Sequence, residues 1–355
     1  MLEPHRAALE TCVYCPKLSR AACPVSNAEH SETLTPWGKM SLAWFAARGD
    51  VPIDADHAAP AWACTSCFAC RERCDHRNEV GPVLTDARAD FFAAGVAPEG
   101  ARRVAEVFAS REVEIASAVD ALDPSPDPAA VPVLIGCTYA RRLPEIAADA
   151  LGASRALCRA PVRAVRGCCG LPLLQAGDRR GFVAAAKKLA AELGTAERVV
   201  VVDPGCARTL LVEYAKAGVA LPRVELFVDL AARAKSRLRP MEQAPAFRYH
   251  DPCQLGRGLG RFDEPRAVLA QIGGRAPLEM QRHHLEADCS GGGGLLPATR
   301  PEASRAIADA RVAEHRARGG GVLVTACAES LRRFRASGEP AEDLVSLVAR
   351  ALDPA

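Results

Sequence analysis

The chain has 355 residues, of which 49% are hydrophobic and 25% are charged, and its formal net charge is +2. This composition is typical of a globular protein with two or three domains, and the balanced charge excludes a strongly basic surface for nucleic acid. No apolar run approaches the roughly 18 to 20 residues that span a bilayer. The start, MLEPHRAALETC, lacks the apolar core of a signal peptide, so we expect a cytoplasmic protein.

The fifteen cysteines are the unusual part of the composition. A reducing cytosol disfavours disulfides and a chain of this length does not need them, so we interpret the cysteines as metal ligands. Zinc is the simplest alternative for any cysteine cluster. Closed structural zinc sites usually use paired C-x2-C knuckles, however, and the run described next favours iron–sulfur binding.

Residues 1–121 are predicted to form a small, mainly helical domain with two cysteine groups. The run CTSCFACRERC contains Cys64, Cys67, Cys70 and Cys74, and CVYCPKLSRAACP contains Cys12, Cys15 and Cys23. Three thiolates spaced by two residues can surround one face of a [4Fe–4S] cube, while a fourth usually reaches a neighbouring cluster. Ligand exchange between the two groups therefore predicts one complete site in which Cys23 joins the three closely spaced cysteines of the run.

Beyond a Pro-rich, polar linker at 122–130, the chain repeats one pattern. The order strand, helix, Gly-rich turn, helix, strand occurs in 131–240 and again in 241–355, which predicts two α/β units. The cysteines of each unit lie at strand ends or in Gly-rich turns, where open α/β sheets bind ligands. They are Cys137, Cys168, Cys169 and Cys206 in the first unit, and Cys253, Cys289 and Cys327 in the second.

The spacing of Cys137 from the CCG triplet at 168–170, followed by a strand that ends near Cys206, resembles the cysteine-rich CCG domain. The layout is similar over nearly the whole chain to the catalytic subunit of heterodisulfide reductase, the iron–sulfur subunit of glycolate oxidase and the third subunit of anaerobic glycerol-3-phosphate dehydrogenase. The resemblance implies an α + α/β fold, with a mainly helical dicluster ferredoxin-like domain followed by two pseudo-repeated α/β CCG units.

The CCG units depart from the full family motif, which offers a single cysteine, a CC pair and a final C-x2-C. Asp203 stands at the first cysteine of the C-x2-C in the first unit, and Ser290 and Ser330 replace two cysteines of the second. The first unit keeps four thiolates, enough for an ordinary [4Fe–4S] cube, with Asp203 either an oxygen ligand or a turn residue. The second unit keeps three, which leaves either a cluster with one open iron or no cluster.

The amino-terminal domain also departs from pattern, because Ser19 stands where related sequences have a third cysteine in CPKLC. The second site there would consist of Cys12, Cys15 and Cys74, with Ser19 as a further candidate ligand. Serine is a poor substitute because its hydroxyl must ionise to bind iron. We therefore expect an altered or labile cluster: a cube with a serine alkoxide, a three-iron cluster or no stable cluster.

Other residues carry weaker indications. His250, near Cys253, is a weak candidate for a proton donor, and a structural histidine is the alternative. Arg71 and Arg73 either raise a cluster's potential or attract an acidic partner, or else are solvated surface residues. Cys158 has no place in either repeat, and GRGLG (256–260) falls short of a dinucleotide fingerprint.

The leading hypothesis is an iron–sulfur electron-transfer subunit of an oxidoreductase complex. By resemblance, it relays electrons between a flavoprotein dehydrogenase, or another redox subunit, and a quinone or other acceptor. The alternatives are a catalytic subunit that reduces a disulfide at a CCG-bound cluster, and a partly metal-free docking subunit. We expect no nucleic-acid partner, and a cytoplasmic location that is either free or peripheral at the inner face of the membrane through a partner.

Overall fold

The computed structural model describes residues 2–352, which form two compact units built from non-contiguous segments. Among the described residues, the first unit contains 2–108, 172–182 and 282–313, and the second contains 109–171, 183–281 and 314–352. Segments 172–182 and 282–313 come from the two predicted CCG stretches. The compact units therefore do not coincide with the predicted segments 1–121, 122–130, 131–240 and 241–355. That division stays a prediction about the sequence.

Most of the described chain is helical. The helices are α1 (Arg6–Val13), α2 (Pro24–Glu29), α3 (Pro36–Arg48), α4 (Ala55–Ala58), α5 (Ala69–Glu72), α6 (Val80–Ala93), α7 (Glu99–Glu106), α8 (Phe108–Leu122), α9 (Cys137–Arg142), α10 (Pro144–Cys158), α11 (Leu171–Ala176), α12 (Arg179–Leu193), α13 (Pro204–Arg208), α14 (Tyr214–Lys216), α15 (Phe227–Arg233), α16 (Gly256–Leu259), α17 (Asp263–Gly273), α18 (Leu296–Thr299), α19 (Pro301–Ala317), α20 (Ala328–Ala336) and α21 (Leu344–Ala351). No helix within residues 2–352 is both long enough and apolar enough to cross a bilayer.

The strands form two four-stranded parallel sheets in the second unit. They are β1 (Val131–Leu134), β2 (Val162–Ala164), β3 (Arg198–Val201), β4 (Arg223–Leu226), β5 (Phe247–Tyr249), β6 (Leu278–Glu279), β7 (Val322–Thr325) and β8 (Glu342–Asp343). The orders are β2-β1-β3-β4 and β6-β5-β7-β8, so the two repeats have the same topology. The α + α/β fold class is confirmed.

The first unit is held together by an apolar core in which α1, α3 and α6 meet. Leu9, Met40, Trp62, Leu84 and Phe91 are all at most 1% exposed there. Helix α3 begins where the Thr35 hydroxyl accepts a hydrogen bond from the amide of Gly38, and it ends at Gly49 in the left-handed conformation. Helix α3 is therefore fixed at both ends.

The second unit packs short apolar strands between helices. Strands β1, β3 and β7 each bury three consecutive residues, as expected for parallel strands covered on both faces. Helix α10 of the first repeat packs against α21 of the second, and α15 packs against α17. The buried Tyr139 hydroxyl donates to Asp343 Oδ2 at 2.7 Å, which joins the two repeats through a polar contact.

Candidate iron–sulfur sites

Site A, consisting of Cys23, Cys64, Cys67 and Cys70, brings together the four cysteines that ligand exchange predicts. Burial raises the pKa of the Cys70 thiol well above its ordinary range, and the three other thiols of the site raise it further. Cys23 comes from the turn before α2, some forty residues upstream in sequence. The donor set therefore fits a [4Fe–4S] cube with four thiolate ligands.

Two unusual backbone conformations shape the loop that carries three of these cysteines, residues 64–70, which we call the site A loop. Ser66 and Phe68, which flank Cys67, both have positive φ values, 52° and 62°. This region is unfavourable for residues with a Cβ atom and is found mostly where function requires it. The amide of Ser66 donates to Cys64 Sγ at 3.4 Å. The loop thus turns its thiols toward one centre and directs a donor at a ligand sulfur, which stabilises negative charge there.

Two buried cations lie beside site A, and the sequence reasoning missed both. Lys39 on α3 is 2% exposed, and its Nζ donates to Cys23 Sγ at 3.1 Å. Arg88 on α6 is fully buried and donates to the carbonyl oxygens of Cys64 (2.6 Å) and Ala61 (2.9 Å). Neither forms an ion pair with a carboxylate in the described part of the chain. A buried charge needs a partner, and an anionic cluster at site A would supply one.

The cations predicted near this run have a different role. Arg71 makes ion pairs with Glu72 and Glu79, and Arg73 is exposed and pairs with Glu286 at 3.1 Å. Their charges are offset by neighbouring carboxylates, so they influence site A less than Lys39 does. A signal for Lys39 was present in the sequence as a lysine in the otherwise apolar run PWGKMSLAWF.

A glycine-rich turn from the second CCG stretch packs directly onto the site A loop. A Cβ atom on Gly294 would lie 2.0 Å from the carbonyl oxygen of Cys64, and one on Gly293 would lie 2.4 Å from that of Thr65. Only glycine permits such close backbone approach. The turn belongs to the segment that carries Cys289, so this cysteine lies in the first compact unit with site A.

Site B consists of Cys12, Cys15 and Cys74. Burial raises the pKa of the Cys12 thiol to about 11, while a hydrogen bond from Asn78 lowers it and the thiols of Cys74 and Cys15 raise it. Asn78 Nδ2 donates to Cys12 Sγ at 3.1 Å. The three cysteines line one cavity, and Ser19 and His76 are also among the residues that line it. His76 was not among the predicted ligands.

Site C consists of Cys137, Cys168, Cys169 and Cys206, which follow the neighbouring strands β1, β2 and β3. Since parallel strands end at the same edge of a sheet, their cysteines meet there. Cys169 Sγ lies 3.4 Å from Cys206 Sγ. A hydrogen bond with Cys168 and burial both raise the pKa of Cys137 well above its ordinary range. The four thiols are sufficient for a cube.

Asp203 lies beside site C as a helix cap. Its Oδ1 accepts hydrogen bonds from the amides of Gly205 (2.8 Å) and Cys206 (3.2 Å), which begins α13. Burial raises the pKa of this carboxyl to about 6, against the effect of these amides. The interpretation of Asp203 as a turn residue therefore has direct support, whereas its role as an iron ligand stays a prediction.

The three cysteines of the second CCG stretch do not share one compact unit. Cys253 and Cys327 follow β5 and β7 in the second unit, and Cys289 belongs to the first. Burial raises the pKa of Cys327 overall, although hydrogen bonds from Ser330, which replaces the expected cysteine, lower it. A cluster in the second CCG stretch stays a prediction.

The remaining predicted residues belong to none of sites A, B and C. His250 is 1% exposed at the end of β5, and its ring packs edge-to-face on Phe334 with 4.9 Å between centroids. Cys158 is half-buried at the end of α10, and burial raises its pKa. The packing of His250 fits a structural role, and its role as a proton donor stays a prediction.

The comparisons with known proteins agree with this arrangement. Residues 8–78 match the family described as 4Fe-4S dicluster domain, and residues 131–211 and 247–330 match the Cysteine-rich domain family, CCG. These matches cover sites A, B and C. They define the class as iron–sulfur proteins that carry [4Fe–4S] clusters and a repeated cysteine-rich domain.

Three relatives illustrate the family. One subunit of the fumarate reductase (CoM/CoB) of Methanothermobacter marburgensis is 25% identical over 86% of this chain and 64% of its own length. One subunit of the dihydromethanophenazine:CoB–CoM heterodisulfide reductase of Methanosarcina barkeri is 30% identical over 52% and 49%. A probable membrane-anchored ferredoxin of Chromohalobacter salexigens is 36% identical over 31% and 18%. The chain belongs to the CCG-domain iron–sulfur family and spans about half to two thirds of the length of the first two relatives.

Proposed function

We propose that the protein is an iron–sulfur electron-transfer subunit of a larger oxidoreductase. The observation that carries this proposal is the convergence at site A of Cys23 with the Cys64, Cys67 and Cys70 run. Four thiols from distant segments, two of them buried and two partly buried, are the donor set of a cube. A [4Fe–4S] cluster, when bound, supplies reversible one-electron transfer. Site C offers a second set of four thiols, and site B a set of three.

In this function the protein's own residues hold the clusters and set their surroundings. The thiols of sites A and C are buried or partly buried, which limits the access of water and strengthens the effect of nearby charges. Burial keeps the cysteine thiols protonated, but a cluster binds thiolates. Iron binding would therefore release these protons. Lys39 and Arg88 supply positive charge at site A, and neither forms an ion pair with a carboxylate among residues 2–352.

The partners are proposed from the relatives. Two of them are named as subunits of reductases, so we propose that this chain also acts within a complex. A flavoprotein dehydrogenase would exchange electrons with the chain on one side, and a quinone or another acceptor on the other. One relative is named as membrane-anchored, which supports a location at the inner face of a membrane through a partner.

Iron and sulfide analysis of anaerobically purified protein, with EPR of the reduced form, tests the proposal. We expect at least two cubes, or about eight irons per chain. Cys67→Ala at site A and Cys169→Ala at site C should each remove about four irons. Cys158→Ala is the matched control, since this cysteine lies in neither site, and it should remove none. Fewer than about four irons in the wild type refutes the proposal.

A second candidate function is disulfide reduction at site C, which the name of the heterodisulfide reductase relative favours. The four thiols of site C, with 3.4 Å between Cys169 Sγ and Cys206 Sγ, would hold the cluster at which a substrate disulfide is reduced. An assay of the reduced protein with a range of disulfides tests it. Turnover that disappears in Cys206→Ala supports catalysis. The absence of turnover with any disulfide favours the electron-transfer function.

Unchanged iron content in Cys168→Ala and Cys169→Ala favours a docking role for the CCG units instead.

A further inference from the structure

We infer that His76 is the fourth iron ligand of the cluster at site B, in place of the missing cysteine at position 19. The inference rests on the proposed function, because it requires that site B holds a cluster. Site B offers three thiols, from Cys12, Cys15 and Cys74, and a cube with four protein ligands needs one more. The other polar residues that line the cavity are Thr11, Lys17, Ser19, His76 and Asn78. Thr11 donates to the Ala7 carbonyl oxygen, Lys17 pairs with Glu32 and Asn78 donates to Cys12 Sγ, so Ser19 and His76 are the candidate ligands.

The backbone holds His76 between two fixed points of this cavity. Residues 74–77 form a turn closed by a hydrogen bond from the amide of Arg77 to the carbonyl oxygen of Cys74, 2.8 Å long. The next residue, Asn78, is anchored to α1 through bonds to the Ala8 carbonyl (2.7 Å) and to Cys12 Sγ (3.1 Å). Cys74 and Asn78 both line the cavity, so the turn between them keeps His76 at its edge.

The chemistry of the two donors favours the histidine. A neutral imidazole offers a ring-nitrogen lone pair at neutral pH without losing a proton, and histidine replaces cysteine on one iron of Rieske clusters. A serine hydroxyl must give up its proton to bind iron, and a partly buried site disfavours the alkoxide. The His76 ring makes no hydrogen bond or ion pair with any other residue between 2 and 352, so ligation would break no existing contact.

A histidine ligand changes what site B can do. Imidazole is neutral, so the cluster would carry one unit of negative charge less than a cube with four thiolates. Addition of an electron then meets less repulsion, and the reduction potential is higher than with four cysteines, as histidine ligation raises it in Rieske centres. The difference from site A, which has four cysteines, would give the two clusters of the amino-terminal domain distinct potentials.

The test uses the full chain, reconstituted anaerobically and labelled only at histidine with ¹⁵N. Pulsed EPR of the reduced protein should show a strong ¹⁵N coupling in the wild type and in Ser19→Ala. The coupling should be absent in His76→Ala and in Cys15→Ala, and the latter assigns it to site B. His76→Cys should retain the iron, lose the coupling and shift the site B potential downward, which separates ligation from a folding defect.

Two outcomes overturn the inference and are distinguishable. If Cys15→Ala removes iron but the wild type shows no histidine coupling, site B holds a cluster with another fourth ligand. Loss of the cluster in Ser19→Ala, with retention in His76→Ala, would then identify the serine. If Cys15→Ala and the wild type contain equal iron while Cys67→Ala contains less, site B holds no cluster and the inference fails, whereas the proposed function, which rests on sites A and C, stands.

Discussion

Replacement of Lys39 by methionine isolates the effect of one buried charge on site A. The two side chains have similar length, so the apolar stem of the residue stays in the core of α3 while the ammonium group is removed. In the wild type, Lys39 Nζ lies 3.1 Å from Cys23 Sγ and the residue is 2% exposed. Positive charge there stabilises the reduced cluster more than the oxidised one, because the reduced cluster is more negative. We expect Lys39→Met to lower the reduction potential of site A.

The size of the shift follows from the distance and the dielectric environment. The added electron spreads over the cube beyond Cys23 Sγ, so its charge is centred ~6 Å from Lys39 Nζ. With an effective dielectric constant of ~20, the attraction between the ammonium group and this electron is ~3 kcal/mol. A tenfold change in a one-electron equilibrium corresponds to about 59 mV or about 1.4 kcal/mol, so the potential should fall by ~120 mV. Full screening by water, with a dielectric constant of ~80, would leave only ~30 mV.

EPR-monitored redox titration of the reconstituted protein measures this shift, since the signal reports only chains that carry the cluster. Lys187→Met is the matched control: it removes an exposed lysine from α12, and we expect the site A potential to be unchanged. A fall of less than ~30 mV in Lys39→Met, or a rise, refutes the reasoning, because a buried charge at this distance cannot be screened more completely than in water.

Two further predictions concern packing and pH. Gly294→Ala should remove the iron of site A, because the new Cβ would lie 2.0 Å from the Cys64 carbonyl oxygen. Gly320 has the same φ of +64° but open space around it. Gly320→Ala should therefore retain the iron and lower the stability of the folded protein by only about 1 kcal/mol. Burial raises the pKa of Asp343 to about 7, against hydrogen bonds from Tyr139 and from the amide of Val345 that lower it, from an ordinary value of 3.8. The folded state then binds the proton more strongly than the unfolded state, so stability is greatest at low pH and declines as pH rises toward 7. Anaerobic urea unfolding should show that the free energy of unfolding falls by ~2 to 3 kcal/mol between pH 5 and pH 8. This fall should be absent in Asp343→Asn, because the asparagine side chain stays neutral. Equal falls in both proteins would contradict this account.

The sequence alone determined those features that depend on local spacing and on the regular geometry of secondary structure. The C-x2-C-x2-C spacing predicted that three thiols surround one centre, and ligand exchange predicted that Cys23 completes it. The strand and helix order predicted for 131–240 recurs in 241–355, and the two parallel sheets have the same strand order. The repeated strand–helix order predicted site C, because neighbouring parallel strands must end at one edge of their sheet.

Only the tertiary structure decided the surroundings of the sites, because burial and long-range contacts depend on how distant segments pack. It turned Lys39 from an ordinary helical lysine into a buried cation beside Cys23, and it made Asp203 the cap of α13. It assigned Cys289 to the first compact unit, whereas Cys253 and Cys327 belong to the second. Finally, it brought His76 into the cavity of site B, where spacing gave no ligand signal. Periodicity in a sequence reports which residues share an element, whereas charge and ligand completion at a cluster depend on residues far away along the chain.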